Sequence, residues 1–377
     1  MRRPLVAVAV AAAVLGLAAG SAHAAGPPSP DARAYEIVNA STGEVLAAHN
    51  AYERLPIASL TKLMTVIVAL EHLQPDQVVS VPKAAVSVGG SRIPLHAGQQ
   101  ISVDDLLKGA LIQSANDAAD SLAAGASGDN IPLFVSWMNA KAQQLGLADS
   151  HFVRPDGLDA PGHVSSAHDV MRLALIAMHS PVVREIVRER TDTIEGGRVA
   201  VHTWNDLLGT FPGVIGVKTG HTSKAGWCEV AAVRRQGYTI YAVILGSPGR
   251  AQRNADLERL LRWGVAQYRT LTLVSRTAYA QARLGYGLPA VPLVATKPLV
   301  RVVKADQQVV ERVTAPSAVT LPVARGQLLG TIEVRVDGQV VGVRPLVAAR
   351  SVRRPGLVGR VRWYATRTVH DFLGLFS

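Results

Sequence analysis

The sequence predicts an α/β domain that mixes helices with antiparallel strands, followed by a small all-β domain and a C-terminal amphipathic helix. Apolar residues recur at helical spacing in several stretches before residue 270, interrupted by strand-like runs. Short Val-rich runs punctuated by prolines replace them after about residue 285. The last stretch combines arginines with an apolar face. A chain of 377 residues, 48% of them hydrophobic, is long enough for two folded cores.

The N-terminus has the pattern of an export signal. Two arginines precede an almost wholly apolar run at residues 5–19, and an A-x-A cleavage motif ends at Ala24. Because a membrane-spanning helix needs about 20 apolar residues, this run is short for a span. We therefore expect residues 1–24 to be a signal peptide, residues 25–30 to be a spacer, and the mature protein to be exported.

The α/β domain is predicted to cover residues 31–270. Residues 34–39 and 44–48, on either side of Ser41-Thr42-Gly43, predict a hairpin. Ser102 is a predicted helix cap, because two aspartates follow it in the first turn. The remaining patterns predict helices at 59–72, 102–125, 131–145, 166–178 and 250–268, and strands at 214–218, 226–234 and 238–246.

The all-β domain is predicted at residues 286–352, after a linker at 271–285. Asp337-Gly338 is a typical hairpin-turn dipeptide between two Val-rich runs. Residues 353–377 carry five arginines and one aspartate, and on a helical projection their apolar residues share about half the circumference. Such a basic amphipathic helix suits peripheral contact with an anionic membrane surface. The alternative is a helix that docks on its own domain.

The net charge of +11 favours anionic partners without choosing among them. The sequence has no zinc-finger spacing and no basic run interleaved with aromatic residues, so we expect no nucleic-acid partner. His163 and His168 lack an H-E-x-x-H pattern and are expected to be loop residues. We expect no metal and no cofactor. The single cysteine, Cys228, leaves no internal disulfide and is expected to be a buried apolar residue.

Ser59-Leu60-Thr61-Lys62 places a serine and a lysine on one face at the start of a predicted helix. A serine hydroxyl becomes an effective nucleophile when a base takes its proton, and a neutral lysine can be that base. The motif alone is weak, since Ser80-Val81-Pro82-Lys83 repeats it. That copy follows a strand-like run and its proline opposes a helix, so we expect no catalytic role for it.

Two further motifs complete a known combination. Ser114-Ala115-Asn116 is predicted in the middle of the helix at 102–125, where its polar groups could relay a proton and hold a substrate. Lys218-Thr219-Gly220 is predicted at the end of a strand, where it could bind a carboxylate and let a substrate lie along the strand edge. The three motifs in this order are a strong signal for serine acyl-transfer chemistry.

On these motifs, the chain resembles the low-molecular-weight penicillin-binding proteins that are D-alanyl-D-alanine carboxypeptidases. The resemblance extends over nearly the whole chain, including the β-domain and the basic tail. It implies a penicillin-binding/β-lactamase-like transpeptidase fold, peptidoglycan peptide stems as substrate, and inhibition by β-lactams. It is carried by Pro56-Ile57-Ala58-Ser59-Leu60-Thr61-Lys62-Leu63-Met64-Thr65, Ser114-Ala115-Asn116-Asp117-Ala118, Gly157-Leu158-Asp159, and Lys218 through Gly220 with His221, Thr222, Ala225 and Gly226.

The resemblance also implies roles for the motif residues. Ser59 would attack the carbonyl of the penultimate D-alanine and form an acyl-enzyme, with Lys62 as proton acceptor. Ser114 would pass the proton to the leaving D-alanine, and Asn116 would have a positioning role.

On the other side of the reacting carbonyl, the resemblance implies binding groups. Lys218 and Thr219 would hold the terminal carboxylate, with Gly220 against the peptide backbone. The backbone N–H groups of Ser59 and His221 would form the oxyanion hole, so the imidazole of His221 would need no catalytic role.

Two positions depart from the family's usual pattern: Arg154 stands where asparagine is common, and Trp227-Cys228 is unusual after the K-T-G strand. A β-lactamase is an alternative, but residues 151–159 lack the E-x-x-L-N pattern that supplies a deacylating glutamate in class A enzymes. Two further alternatives are a non-catalytic cell-wall binding protein and a protein whose β-domain docks partners. The motif chemistry does not separate carboxypeptidase from endopeptidase or transpeptidase; the family's architecture favours carboxypeptidase.

Overall fold

The computed structural model describes residues 26–373, with side chains described as far as residue 365. The predicted signal peptide lies outside the described residues. The chain divides between Ala266 and Gln267 into two compact units. Of the described residues, 26–266 form the N-terminal unit and 267–373 the C-terminal unit.

The N-terminal unit mixes helices with antiparallel strands, which confirms the predicted fold class. The unit contains a five-stranded sheet, and its elements in chain order are β1 (Ala34–Asn39), β2 (Glu44–His49), α1 (Lys62–His72), β3 (Val78–Ser80), β4 (Gln100–Ser102), α2 (Val103–Leu111), α3 (Asn116–Ser127), α4 (Ile131–Gln144), α5 (Ala167–Ala177), α6 (Pro181–Val187), β5 (Thr191–Ile194), β6 (Val199–His202), β7 (Val214–Thr222), β8 (Gly226–Arg235), β9 (Tyr238–Ser247) and α7 (Arg250–Ala266).

The sheet has the order β2-β1-β9-β8-β7, with every neighbouring pair antiparallel. Strand β7 therefore forms one edge. Helix α1 is largely buried: Leu63 and Met64 are fully buried, and Val66 and Val68 are 1% exposed. It lies against α3 and α5, and α5 in turn lies against β1 and β9.

The prediction of a single helix at 102–125 is wrong, because two helices occupy that stretch. Ser102 caps α2 by accepting a hydrogen bond from the backbone N–H of Asp105 at 3.1 Å, as the sequence predicts. Helix α2 then ends at Leu111, and α3 begins at Asn116. Between them Ser114 has φ +59°, the left-handed region that a serine adopts at an energetic cost. Ser114 therefore lies in a break between helices rather than in the middle of one.

Three other predictions need smaller corrections. Ser59 lies on a 3-10 turn, Ala58–Thr61, and the α-helix begins only at Lys62. The K-T-G motif lies inside β7, which continues to Thr222, rather than at the end of a strand. His168 was expected in a loop but is in the first turn of α5.

The C-terminal unit is an all-β assembly followed by a helix, again as predicted. Its six-stranded sheet has the order β14-β16-β17-β12-β11-β15, and β10 pairs with β13. The predicted linker at 271–285 is occupied instead by most of β10 and all of β11. The elements are β10 (Tyr268–Val274), β11 (Ala278–Leu284), β12 (Val291–Ala295), β13 (Leu299–Lys304), β14 (Val309–Thr314), β15 (Ala318–Val319), β16 (Leu328–Val336), β17 (Gln339–Ala348) and α8 (Leu357–Leu373).

Asp337 and Gly338 form the turn between β16 and β17, with φ of +48° and +80°. Two consecutive positive φ values fit the hairpin turn that this dipeptide predicts. Helix α8 falls within the predicted amphipathic tail. Among the described residues, none of the helices combines the length and apolarity that a membrane span requires.

Candidate active site

Ser59 and Lys62 are in direct contact at the start of α1. The 3-10 turn presents Ser59 half-buried, and one turn later Lys62 is fully buried as the first residue of the helix. Nζ of Lys62 lies 2.9 Å from Oγ of Ser59. This distance is within the range for proton transfer between a nucleophile and its base.

Two further acceptors surround the Lys62 ammonium. Nζ donates to Oδ1 of Asn116 at 2.7 Å and to the backbone oxygen of Asp156 at 2.6 Å. Burial lowers the pKa of Lys62 to about 8, although the carboxylates of Asp156 and Asp120 act in the opposite direction. At pH 7 about a tenth of Lys62 is therefore in the neutral form.

The break between α2 and α3 aims Ser114 and Asn116 at different lysines. Oγ of Ser114 accepts a hydrogen bond from Nζ of Lys218 at 2.7 Å. The Asn116 amide is fixed at both ends, since Oδ1 accepts from Lys62 and Nδ2 donates to the backbone oxygen of Gly89 at 2.6 Å. Ser114 and Asn116, on either side of Ala115, thus each contact a different lysine.

Lys218 reaches the site from β7. It is 2% exposed and also donates to the backbone oxygen of Thr219 at 2.9 Å. Burial, and then the nearby charge of Lys62, lower its pKa well below the usual value for lysine. Two buried amines thus face the site from α1 and from the sheet, each in contact with a serine hydroxyl.

Strand β7 passes very close to the Ser59 turn at Gly220. A Cβ atom on Gly220 would lie 3.0 Å from the backbone oxygen of Ile57 and 3.1 Å from the backbone N of Ser59. Only glycine lets the edge strand and the nucleophile's backbone approach this closely. The side chain of His221 is exposed and stacks on Trp227, with ring centroids 4.1 Å apart.

These groups open onto one pocket of about 310 Å³. The structure therefore brings together the residues predicted from the three motifs. None of the described residues that line the pocket is a carboxylate. The lining residues are Ser59, Gly90, Ser91, Ser114, Asn116, Leu158, Trp204, Thr219, Gly220, His221, Thr222, Trp227, Arg250 and Arg253.

Several of these lining residues were not assigned to the site by the sequence analysis, among them Trp204, Trp227, Arg250 and Arg253. Arg250 lies over the ring of Trp204 at 5.4 Å, and Arg253 lies over the ring of Trp227 at 5.7 Å. The unusual Trp227 was a usable signal. No motif marks the two arginines, which follow Gly249 on α7.

Arg253 is held from below by a buried acid. It is 1% exposed, and its Nε lies 2.9 Å from Oε2 of the fully buried Glu229, an ion pair whose angles are not those of a hydrogen bond. Glu229 is the β8 neighbour of Thr219. Burial raises the pKa of Glu229 to about 7, while Arg253 opposes that rise.

The loop before Leu158 closes the site beneath Lys62. Gly157 has φ +82°, and a Cβ atom there would lie 2.2 Å from the backbone oxygen of Ala58. Asp156 is fully buried, and its carboxylate accepts two hydrogen bonds from Arg154 at 2.5 Å each. The unusual Arg154 is thus the partner of a buried charge.

His163 supports the same turn from the loop side. Nδ1 accepts from the backbone N–H of Val153 at 3.0 Å, so Nε2 carries the proton and donates to Oγ1 of Thr61 at 2.8 Å. Thr61 in turn donates to the backbone oxygen of Ala58. Within the described residues, no group of three or more His, Cys, Asp or Glu side chains is placed to hold a metal ion.

Comparison with known proteins places this architecture in a family. Residues 21–249 match the family described as D-alanyl-D-alanine carboxypeptidase. Residues 268–354 match the family described as penicillin-binding protein 5, C-terminal domain. The two matched regions correspond closely to the two units of the fold.

Relatives share both units. The D-alanyl-D-alanine carboxypeptidase DacC of Escherichia coli is 33% identical, with 92% of this chain and 90% of that protein covered. The crystal structure of penicillin-binding protein 5 from Haemophilus influenzae has 30% identity and a TM-score of 0.63, with 87% and 99% covered. A Streptomyces DD-transpeptidase structure, at 30% identity and a TM-score of 0.60, covers 64% of this chain and 99% of its own.

Proposed function

The chain belongs to the D-alanyl-D-alanine carboxypeptidase family, and from this premise we propose how its residues carry out the reaction. The protein is a serine D-alanyl-D-alanine carboxypeptidase of the penicillin-binding type. Peptidoglycan peptides as substrate and β-lactams as ligands are consistent with that family. The contact between Lys62 and Ser59 inside a pocket lined by Ser114, Thr219 and Gly220 is the observation that carries the mechanism.

Acylation begins when neutral Lys62 takes the proton of Ser59. Oγ then attacks the carbonyl carbon of the penultimate D-alanine and forms a tetrahedral intermediate. The backbone N–H groups of Ser59 and His221 stabilise its oxyanion, because β7 lies within contact distance of the Ser59 turn at Gly220. Loss of the D-alanine amine leaves the peptide as an ester on Ser59.

The leaving amine needs a proton, and Ser114 supplies the route. Its Oγ accepts a hydrogen bond from Lys218, which leaves the hydroxyl proton free for the leaving nitrogen. The proton that Lys62 took from Ser59 replaces the one lost by Ser114, and Lys62 is neutral again. Asn116 keeps Lys62 oriented toward Ser59 throughout. Water then attacks the ester, with Lys62 again as base.

The terminal carboxylate of the substrate binds on the β7 side of the pocket. Thr219 supplies a hydroxyl, and Gly220 leaves the strand edge open to the peptide backbone. Because burial favours the neutral form of Lys218, the carboxylate needs a cationic partner beside it. The guanidinium of Arg253 lines the same pocket, so we assign it to the carboxylate together with Lys218 and Thr219.

A β-lactam would enter by the same attack and remain bound. A class A β-lactamase uses a glutamate to activate the deacylating water. No Asp or Glu is among the described residues that line this pocket. Slow hydrolysis of the penicilloyl ester, and therefore inhibition, follows.

Release of D-alanine from a pentapeptide stem tests the proposed chemistry. Ser59→Ala should abolish release, because Ser59 carries the hydroxyl that contacts the proposed base Lys62. Ser80→Ala is the matched control, since Ser80 is exposed on β3 and begins the second S-x-x-K motif. Full D-alanine release by Ser59→Ala would overturn the mechanism, as would an equal loss in both variants.

We also propose that the tail attaches the exported protein to an anionic membrane surface. Helix α8 exposes a run of large apolar side chains, and the tail as a whole carries five arginines and one aspartate. Exposed apolar residues beside arginines suit the lipid headgroup region. The exposed residues are Leu357, Val358, Val361 and Tyr364.

A further inference from the structure

A group of buried and half-buried charges lies near Lys62 and outside the pocket lining. Lys62 contacts the backbone oxygen of Asp156, and the Asp156 side chain is fully buried. Arg154 and Asp120 are the other members of this group. We call these three residues, Asp120, Arg154 and Asp156, the underlying cluster. None of them lines the pocket.

Arg154 neutralises Asp156 from the outer side of the loop. Its Nε and one terminal nitrogen both lie 2.5 Å from the two carboxylate oxygens, a two-pronged ion pair. The Asp156 carboxylate also accepts the backbone N–H of Leu158 at 2.9 Å. A fully buried carboxylate requires such partners, so Arg154 is the counter-charge that lets Asp156 remain beside Lys62.

Asp120 is the member of the underlying cluster whose carboxylate has a buried oxygen without a hydrogen-bond partner in the described part of the chain. It lies on α3 one turn after Asn116, the residue that holds Nζ of Lys62. Its Oδ1 is buried and has no hydrogen-bond partner among the described residues. Burial raises the pKa of Asp120 to about 7, with Asp156 acting in the same direction and Arg154 and Lys62 against it. Asp120 and Lys62 therefore ionise in the same pH range and influence each other.

We propose that Asp120 and Arg154 set, in opposite directions, the pH at which Lys62 becomes the neutral base for acylation. This inference rests on the proposed role of Lys62. Both act through Lys62 and are positioning residues, since neither reaches the pocket. An ionised Asp120 holds the proton on Lys62, whereas the positive charge of Arg154 offsets the two acids and favours its release.

Two other titratable groups near Lys62 lie on α3, which also carries Asp120, and on β7. Asp117 on α3 favours the protonated lysine. The other group is Lys218 on β7, whose own pKa is lowered by burial and then by the charge of Lys62. Both stay in place in the variants below, so the changes at Asp120 and Arg154 are read against a constant background.

The rate constant for acylation by a fluorescent penicillin, measured from pH 5 to pH 10, tests the proposal. The rate rises with pH as Lys62 loses its proton, so the midpoint of this rise reports the base. Asp120→Asn keeps the shape of the side chain and removes the negative charge, and the midpoint should fall by about one pH unit. Arg154→Gln should raise it by a similar amount. Arg154→Lys, which keeps the charge, should stay close to the unmodified protein, and the double variant Asp120→Asn/Arg154→Gln should return toward it.

Opposite shifts with partial cancellation in the double variant support the proposal. Midpoints that do not move in either single variant, or that move in the same direction, would overturn it, even if the plateau rates fall. Thermal unfolding of each variant separates a loss of folded protein from a change in midpoint. If acylation of Ser59 is absent in the unmodified protein, the proposed function itself fails, and that outcome is distinct from an unchanged midpoint.

Discussion

At the level of single residues, the number of N–H groups on Lys62 explains why the neutral amine, and not the ammonium, can be the base. The ammonium has three N–H groups, which match its three acceptors on Ser59, Asn116 and Asp156. The neutral amine has two N–H groups and one lone pair. It can keep the bonds to Asn116 and Asp156 and turn the lone pair toward Ser59. The same geometry therefore holds the resting lysine and orients the base.

Replacement of Lys62 by arginine separates charge from basicity. Lys62→Arg keeps a positive charge but cannot lose a proton, so acylation by penicillin should fall by at least about 100-fold. Lys83→Arg is the matched control, because Lys83 is the exposed lysine of the second S-x-x-K motif. A Lys62→Arg rate within a few-fold of the unmodified protein would show that Lys62 is not the base.

Because of His163, the free energy of unfolding should depend on pH. It is 3% exposed, and burial lowers its pKa from 6.5 to about 4. The folded protein resists protonation of His163 while the unfolded chain accepts it, so this contribution to stability is lost as the pH falls from about 6.5 to about 4. The loss amounts to about 3 kcal/mol.

Urea unfolding at pH 7 and pH 4.5 measures that loss. His163→Gln cannot gain a proton, so we expect its free energy of unfolding to change less between the two pH values than that of the unmodified protein. His151→Gln is the control, because His151 is an exposed imidazole in the same loop. An identical pH response in His163→Gln and the unmodified protein would contradict the assignment.

The residues carrying the chemistry were predictable because each belongs to a short motif. Arg253 and Trp204 were not, since their placement in the pocket depends on the packing of α7 and the segment before β7. Arg154 was noted in the sequence only as a departure. Its role required Asp156 to be seen buried beside Lys62.

At the level of elements, the Gly157 loop and the Ser59 turn hold each other in place. Gly157→Ala introduces a Cβ atom 2.2 Å from the backbone oxygen of Ala58, in addition to the cost of a positive φ. We expect a loss of stability of about 3 kcal/mol or more and slower acylation.

Gly43→Ala is the matched control, because it introduces only the energetic cost of a positive φ and no steric clash. Gly43 has φ +74° in the β1–β2 turn, and a Cβ atom there meets nothing within 4 Å. This variant should lose only about 1 kcal/mol and keep its full acylation rate. Equal losses in the two variants, measured by urea unfolding and penicillin acylation, would show that the loop contact does not matter.

Most elements could be predicted from periodicity, and the failures have local causes. The stretch 102–125 has apolar residues at helical spacing throughout, so the sequence pattern does not predict the left-handed backbone conformation of Ser114. In that conformation Ser114 contacts Lys218, which belongs to a strand about a hundred residues later in the chain. The strands at 268–284 alternate weakly, and they acquire their partners β12 and β13 only later in the chain.

At the level of the whole molecule, the change of texture after residue 285 correctly predicted a separate all-β unit. The tail assignment adds a prediction of its own. Removal of residues 353–377 should abolish binding to anionic phosphatidylglycerol vesicles and leave the penicillin acylation rate unchanged, because the site is built wholly from the N-terminal unit.

Vesicles of neutral phosphatidylcholine are the control for the tail, since a basic helix should bind them far more weakly than anionic ones. Unchanged binding to anionic vesicles after the deletion would place membrane contact elsewhere in the protein. In that case α8 would not be the element that binds the membrane.

The most direct test of the central claim is the intact mass of the protein, without residues 1–24, after incubation with a penicillin, followed by peptide mapping of the adduct. The mechanism predicts a stable increase equal to the mass of the drug, located on Ser59 and absent in Ser59→Ala. Rapid hydrolysis of the penicillin without an adduct would instead indicate a β-lactamase. An intact drug and an unmodified protein would contradict acyl-enzyme chemistry at Ser59 altogether.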